Sequence, residues 1–225
     1  MADLTLNDDL YIAPSSAGAY YAIANPAMEP VRRFLFSLMR EATTPFLNRF
    51  NLQTWTGLGL EESLNLLYRV QSLGWAVGLE EEETAPEQPL EQLLTELLPK
   101  LSEEGKILLA DNQGFYLTSV GFPHETAEEL SALSADLASL YERHSGLLQS
   151  NLGMPLQAWG MIDAVGNSQL GFWPLNMGQD RFVLVINGRP CFNQPAFKEL
   201  VWALTRRYVD DSLFKTEINT TIGSS

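Results

Sequence analysis

The stretch Ile107-Leu108-Leu109-Ala110-Asp111-Asn112-Gln113-Gly114-Phe115-Tyr116-Leu117-Thr118-Ser119-Val120 decides the fold of the second half of the chain. Two runs rich in apolar residues lie on either side of Asn112-Gln113-Gly114, where glycine can supply the positive φ of a tight turn. The pattern predicts a β-hairpin with strands at 106–111 and 115–120.

The sequence around this hairpin predicts an α+β domain over residues 90–209. A leucine-rich amphipathic helix precedes the hairpin, and a long helix with a leucine stripe follows it. Three further strands are predicted at 157–163, 170–175 and 181–187, and a last helix begins at Pro195. The order is helix, two strands, helix, three strands, helix, and residues 210–225 are predicted to be a loose tail because their periodicity is lost.

This order resembles the roadblock (dynein light-chain) fold. The segment 107–121 is similar to the first hairpin of that family, and Ala127-Glu128-Glu129-Leu130-Ser131-Ala132-Leu133 fits its second helix. A profilin-like or PAS-like α/β domain shares much of the same order. Because the roadblock family has no catalytic signature, the resemblance implies a binding protein rather than an enzyme.

The roadblock resemblance also implies a homodimer and a partner. In that family two subunits join edge strands into one sheet and pack their second helices together. Family members commonly serve small Ras-like GTPases as regulators or scaffolds, so a small GTPase is the implied protein partner. The implied dimer interface consists of Leu133, Leu137, Leu140, Tyr141, Trp159 and Met161.

Residues 29–82 predict a separate small domain of three helices and a strand. The helices are expected from Glu29, from Thr44 to Phe50, and from Leu60 to a glycine end at Gly74. The order resembles a winged-helix domain, in which the run 61–75 is similar to the recognition helix and first wing strand. A plain three-helix domain is the alternative, and residues 1–28 are predicted to be an irregular arm.

A winged helix raises the question of nucleic-acid binding, for which the charge is unfavourable. The chain has a net charge of −14, and residues 29–80 carry equal numbers of basic and acidic side chains. Phosphate attraction supplies most of the affinity for DNA, so a DNA-binding transcription regulator is the alternative function rather than the first. Its contact residues, or those for a protein partner, would be Arg32, Arg33, Asn65, Arg69 and Gln71.

Half of the negative charge lies in one short region, because residues 81–104 carry a net −7. The segment 83–89 contains two prolines and no apolar periodicity, so it is predicted to be an acidic, solvated linker between the two domains. An acidic bait for a basic partner is the functional alternative.

The sequence shows no catalytic or metal-binding constellation, and no cofactor is expected. Cys191 is the single cysteine, and His124 and His144 have no partner at ligand spacing. No apolar run is long enough to span a membrane, and the N-terminus lacks a secretory pattern, so a cytoplasmic protein is expected. The sequence therefore predicts a non-enzymatic regulator or scaffold, with an enzyme of unrecognised type as a further alternative.

Overall fold

The computed structural model describes residues 6–7, 9–154 and 157–210. Besides its α-helices and strands, the chain has a 3₁₀ helix at Leu98–Leu101 and a π-helical turn at Gly146–Asn151. In chain order the helices and strands are β1 (Tyr11–Pro14), α1 (Ser16–Ile23), α2 (Pro30–Leu38), α3 (Arg49–Thr56), α4 (Leu60–Ser72), β2 (Ala76–Leu79), α5 (Leu90–Leu97), β3 (Ile107–Ala110), β4 (Tyr116–Val120), α6 (His124–Arg143), β5 (Trp159–Ile162), β6 (Ser168–Met177), β7 (Asp180–Asn187) and α7 (Pro195–Tyr208).

The C-terminal half is a mixed α/β structure around a five-stranded antiparallel sheet. The strands lie in the order β4-β3-β7-β6-β5. The predicted succession of helix, two strands, helix, three strands and helix is confirmed.

The predicted β3–β4 hairpin is also confirmed, and its turn has a local cause. One carboxylate oxygen of Asp111 accepts hydrogen bonds of 2.9 Å from the backbone N–H groups of Gln113 and Phe115. Gly114 has a φ of 87°, a conformation that costs glycine little. Asp111 and Gly114 together therefore close the turn that their sequence positions predict.

The sheet is covered on both faces, but unequally. Phe182, Leu184 and Ile186 of β7 point into a large core shared with α5, α7 and the N-terminal helices. Val183 and Val185 point to the opposite face, where the smaller cluster includes α6. The alternation of side chains along a strand thus gives β7 two apolar faces, as its nearly continuous apolar sequence indicates.

The segment predicted as an irregular arm differs in the structure, because residues 11–23 form β1 and α1. Ser15 caps α1 by accepting a hydrogen bond from the N–H of Gly18. Gly18 itself lies against the backbone of Trp75, so α1 packs directly on the chain that leads into β2. The small residues of α1 allow this close approach. Because they are small, α1 has no stripe of leucines from which the helix could be predicted.

The predicted helix at residues 44–50 is wrong, because the helix in this region is α3. Pro45 instead accepts a backbone hydrogen bond from Ile12 in β1. Asn48 then begins the helix, since its side chain accepts from the N–H of Asn51 at 2.8 Å. The cap residue decides the boundary here, and the apolar spacing of the preceding residues does not.

The segment 83–89 is held at several points, in contrast to the predicted solvated linker. Glu83 accepts a backbone hydrogen bond from Thr44, and its carboxylate lies 2.6 Å from the ammonium of Lys198. The N–H of Ala85 donates to Ala42. The acidic run therefore splits into an exposed part at 80–82 and an anchored part that begins at Glu83.

The N-terminal helices and the sheet share one continuous core. The buried cluster extends from Ile12 to Leu204, and polar bonds also cross between the two parts. Asn176 donates to the carbonyl of Ile23 at 2.8 Å, and the Trp202 indole donates to the carbonyl of Glu41 at 3.0 Å. The two predicted domains are thus packed together as one body.

Two further predictions concern residues 29–82 and residues 210–225. Residues 29–82 contain three helices and a strand, as predicted, but the second helix lies at Arg49–Thr56 rather than at 44–50, and β2 pairs with β1 from the preceding segment. A winged-helix identity for this region stays a prediction. Of the predicted tail at 210–225, residues 211–225 lie outside the described part of the chain.

Candidate interaction surface

Strand β5 forms an open edge of the five-stranded sheet. It pairs with β6 on one side, and no strand of the described chain pairs with its other side. Met161 is 64 % exposed and Ile162 is 68 % exposed. A strand edge with unpaired backbone groups and exposed apolar side chains is a template for pairing with another chain.

The hairpin that follows β5 fixes the position of this edge. The Asp163 carboxylate accepts hydrogen bonds of 2.9 Å from the N–H groups of Val165 and Asn167. The backbone N–H of Asn167 is the main cause that lowers the pKa of Asp163, with its side-chain amide second. Asp163 therefore stays ionised to a lower pH than an ordinary aspartate, and its carboxylate holds the β5–β6 turn closed.

Helix α6 lies against the sheet through small side chains. Ala127, Ser131, Ser134 and Ala138 are buried, and each buried hydroxyl donates to a carbonyl within the helix. These four small side chains therefore serve a contact within the chain. Leu133 lies on another face of α6 and is 42 % exposed.

The predicted interface residues are divided between the interior and the surface. Leu137, Tyr141 and Trp159 line one small cavity between α6 and the sheet. Tyr141 is 4 % exposed, and its hydroxyl accepts a hydrogen bond from Gln149 at 2.7 Å. Leu140 is half-buried, whereas Leu133 and Met161 face solvent.

Two buried donors of this cavity lack an acceptor within the described residues. The indole N–H of Trp159 and the Nε–H of Arg181 have no hydrogen-bond partner there. The Arg181 Nη1 atom lies 3.2 Å from the carboxylate of Glu142, so the guanidinium is paired through another nitrogen. An unpaired buried donor costs roughly 1–3 kcal/mol, so these two groups weaken the contact between α6 and the sheet.

The sequence did not point to several exposed apolar residues that precede, form or follow β5 along the chain. They lie on the segment that joins α6 to β5, on β5 itself and in the following turn. Their signal in the sequence is a set of apolar residues without helical or strand periodicity. These residues are Leu147, Leu152, Met154, Ile162 and Val165.

The five residues proposed for contact with a partner or nucleic acid are divided between α2 and α4. Arg32 pairs with Glu29 at 2.7 Å and lies over the ring of Tyr21, with 4.5 Å from guanidinium carbon to ring centroid. Arg33 lies beside Gly57 at the α3–α4 turn.

The other three of these residues lie on α4. Asn65, Arg69 and Gln71 are exposed there, and Gln71 lines a groove on a different side of the helix. Glu61 and Glu62 occupy the first turn of the same helix, where carboxylates suit the helix dipole and oppose a phosphate. The exposed surface of α4 therefore carries both signs of charge.

No metal-binding group is present within the described residues, where no three His, Cys, Asp or Glu side chains are placed to hold an ion. His124 is exposed, and its Nδ1 atom lies 2.6 Å from the Tyr116 hydroxyl. Cys191 is half-buried with its sulfur 4.0 Å from the carbonyl of Arg189. None of the described helices is both long and apolar enough to cross a membrane.

Comparison with known proteins adds one similarity. No protein-family model matches the chain, and no curated protein matches it. A solved roadblock/LC7 domain from Streptomyces avermitilis is similar to 53 % of this chain and 93 % of its own length, at 14 % identity and a TM-score of 0.34. With so low a TM-score, the similarity carries no conclusion about fold or function.

Proposed function

We propose that this protein is a non-enzymatic scaffold or regulator that forms a homodimer through β5 and α6 and binds another protein. The observation that supports the proposal is the open edge of β5, with Met161 and Ile162 exposed on it. Two antiparallel copies of β5 related by a twofold axis would satisfy each other's backbone groups.

Strand β5 has four residues, so its ladder alone would give a small interface. Stable protein interfaces bury about 1,200–2,000 Å² in total, which requires more than one short strand pair. Leu133 on α6 and the exposed residues of the α6–β5 segment supply further apolar area. The proposed dimer seam therefore comprises β5, the exposed face of α6 and the segment that joins them.

A small Ras-like GTPase is the partner class that we propose, from the roadblock resemblance of the sequence. None of the described residues specifically favours DNA binding. Arg32 is paired with Glu29, and the first turn of α4 carries Glu61 and Glu62. A cytoplasmic location is proposed with the same function.

Light scattering tests the dimer. The chain has a mass of 25.1 kDa, so the wild-type protein is expected at twice that mass. The M161K/I162K variant is expected at the mass of a single chain, because two ammonium groups facing their twofold copies would repel. F50K/L73K adds the same two charges at exposed apolar residues of the N-terminal half and serves as the matched control, which should stay dimeric.

A wild-type monomer at high protein concentration would contradict the proposed seam, as would an M161K/I162K variant that keeps the dimer mass. The partner is tested separately by affinity capture from native lysate, with bound proteins identified by mass spectrometry. Recovery of a Ras-like GTPase supports the partner class. Nuclease-sensitive recovery of DNA and transcription components would favour the alternative.

A further inference from the structure

A polar cleft of about 390 Å³ lies at one end of the five-stranded sheet. Separate parts of the chain form its walls: the loop between α1 and α2, the β3–β4 turn, the C-terminal end of α6 with the segment after it, and the β6–β7 hairpin. Ligand pockets in proteins commonly enclose roughly 300–1,000 Å³. The cleft therefore has room for a small molecule.

Contacts between these walls fix the shape of the cleft. Arg181 near the start of β7 lies 3.2 Å from the carboxylate of Glu142 near the end of α6. Asn176 of β6 donates to the carbonyl of Ile23 in α1 at 2.8 Å. The β3–β4 turn is joined to the hairpin by the β3–β7 ladder. Because its walls are bonded to one another, the cleft exists before a ligand enters, which lowers the cost of binding.

Two lining side chains are buried and still have unused hydrogen-bonding capacity. Tyr141 is 4 % exposed, and its hydroxyl accepts a hydrogen bond from Gln149 but donates none within the described residues. Asn176 is 5 % exposed, and its side-chain oxygen accepts no hydrogen bond from the described part of the chain. Buried polar groups are normally paired. Both residues line the cleft, so Tyr141 offers a donor to a ligand and Asn176 offers an acceptor.

The charges of the cleft are unfavourable for an anion. Arg181 is the single cationic side chain of the described lining, and it is paired with Glu142. Asp180 adds a second carboxylate to the lining. A phosphate or carboxylate ligand would thus meet two negative charges and no unpaired positive charge.

The lining is equally unfavourable for an apolar or aromatic ligand. Pro26 and Gly178 are the only described lining residues without a polar side chain, and Tyr141, the single aromatic residue among them, is buried. A nucleobase would therefore find no exposed aromatic ring on which to stack.

Carboxamide side chains are the commonest polar groups of the lining. Each one donates through its NH₂ group and accepts through its oxygen. A ligand hydroxyl likewise both donates and accepts. Several hydroxyls on one neutral molecule are therefore the chemistry that this lining complements. The carboxamides are those of Asn112, Gln149, Gln157, Asn176 and Gln179.

We propose that this cleft binds a small neutral polyhydroxylated molecule, a mono- or disaccharide. The Tyr141 hydroxyl donates to one ligand oxygen, and the Asn176 side-chain oxygen accepts from a ligand hydroxyl. Gln149 and Gln179, which are exposed members of the lining, bind further hydroxyls. A molecule without these hydroxyls is rejected, because it leaves the buried groups unpaired. All of these residues belong to one chain, so the proposal does not depend on the dimer.

An NMR titration of the ¹⁵N-labelled full-length protein tests the proposal, because it reports side-chain NH₂ groups as well as backbone amides. The probes are glucose, galactose, maltose and myo-inositol. At least one of them, at millimolar concentration, is expected to give saturable shifts of the Gln149 and Gln179 NH₂ signals and of the backbone amides of 178–181. Cyclohexanol, a six-membered ring with one hydroxyl, should give no saturable shift.

Matched variants locate the binding site. Y141F keeps the buried ring and removes the donor, so it is expected to weaken binding of the sugar about tenfold. Q179A removes an exposed carboxamide, which leaves the core untouched, and should weaken binding several-fold. Y68F removes the hydroxyl of an exposed tyrosine on α4, outside the cleft, and should bind like the wild type.

Three results would overturn the proposal. The first is an absence of saturable shifts at the cleft with all four probes. The second is binding of the sugar by both Y141F and Q179A with the affinity of the wild type. The third is a saturable shift of the same signals by inorganic phosphate or AMP at lower concentration than by any sugar, which would show that the cleft selects an anion or a base.

Discussion

Gly18 shows how a single residue sets the packing of the N-terminal segment. A side chain at this position would place its Cβ 1.9 Å from the carbonyl oxygen of Trp75. That oxygen also accepts the N–H of Ser15, so the backbone there is held and has no freedom to retreat. A glycine is required because of this close approach, since its neighbour is backbone rather than a flexible side chain.

The substitution G18A is expected to lower the free energy of unfolding by about 3 kcal/mol, in the range of overpacked core sites. Urea unfolding followed by tryptophan fluorescence measures the change. G146A is the control, because a Cβ at Gly146 meets no atom within 4 Å. A G18A protein as stable as G146A would show that α1 does not lie against Trp75 as described.

A second interaction between single residues is an ion pair at the protein surface. Arg189 donates two hydrogen bonds to Glu103, with Nε–Oε2 and Nη2–Oε1 distances of 2.8 and 2.5 Å. These bonds lower the pKa of Glu103 below its ordinary value. A lowered pKa means that the stabilisation is present above the pKa of the unfolded chain and is lost as the pH falls through the folded value.

We expect R189Q to raise the pKa of Glu103 back toward that of an unperturbed glutamate, because the substitution removes the guanidinium that lowers it. A ¹³C carboxyl NMR titration of the folded protein measures it directly. K100Q removes a cation that pairs with a different carboxylate, Glu96, and should leave Glu103 unchanged. If Glu103 titrates identically in R189Q and wild type, the paired guanidinium is not the cause of the shift.

At the scale of elements, the sequence predicts those with their own local signals. The β3–β4 hairpin has its turn residues, and α4 ends before Gly74, whose φ is 68°. Helices α1 and α3 were missed or misplaced for different reasons. The small residues of α1 show no apolar stripe, and the boundary of α3 depends on the Asn48 cap rather than on periodicity.

The N48A variant tests this reading of α3. Removing the side-chain cap leaves the N–H of Asn51 without its acceptor, and the expected loss of unfolding free energy is about 1 kcal/mol. Thermal and urea unfolding measure the loss. N65A replaces an exposed asparagine within α4 and should change stability by less than about 0.5 kcal/mol. Equal effects of the two substitutions would contradict the cap.

The candidate surfaces illustrate the limit of sequence reasoning at this scale. Trp159 and Met161 were named through the roadblock resemblance, yet only Met161 of these two lies well exposed on the edge. That β5 is an open edge depends on the order of strands in its sheet, which joins residues far apart in the chain. Periodicity along the chain carries no information about that order.

At the scale of the whole molecule, the shared core decides how the chain should unfold. The sequence predicts two domains with a linker, whereas in the structure the larger of the two buried clusters extends from Ile12 to Leu204 and joins both halves. Tyr20 of α1 stacks on Phe192, with ring centroids 5.7 Å apart, and Ser16 donates to the carbonyl of Gln194. Removing either half would expose much of the core of the other.

We therefore expect one cooperative unfolding transition for both halves. The chain has five tryptophans, of which Trp55 and Trp75 precede the sheet and Trp159, Trp173 and Trp202 lie in the C-terminal half. In protein labelled with 5-fluorotryptophan, ¹⁹F NMR resolves each signal during urea unfolding. All five native signals should disappear at a common midpoint, at each of several protein concentrations. A continuous core cannot be lost on one side while it persists on the other, so a shared core requires a single midpoint. Two midpoints, with Trp55 and Trp75 separated from the other tryptophans, would therefore show that the halves are independent domains.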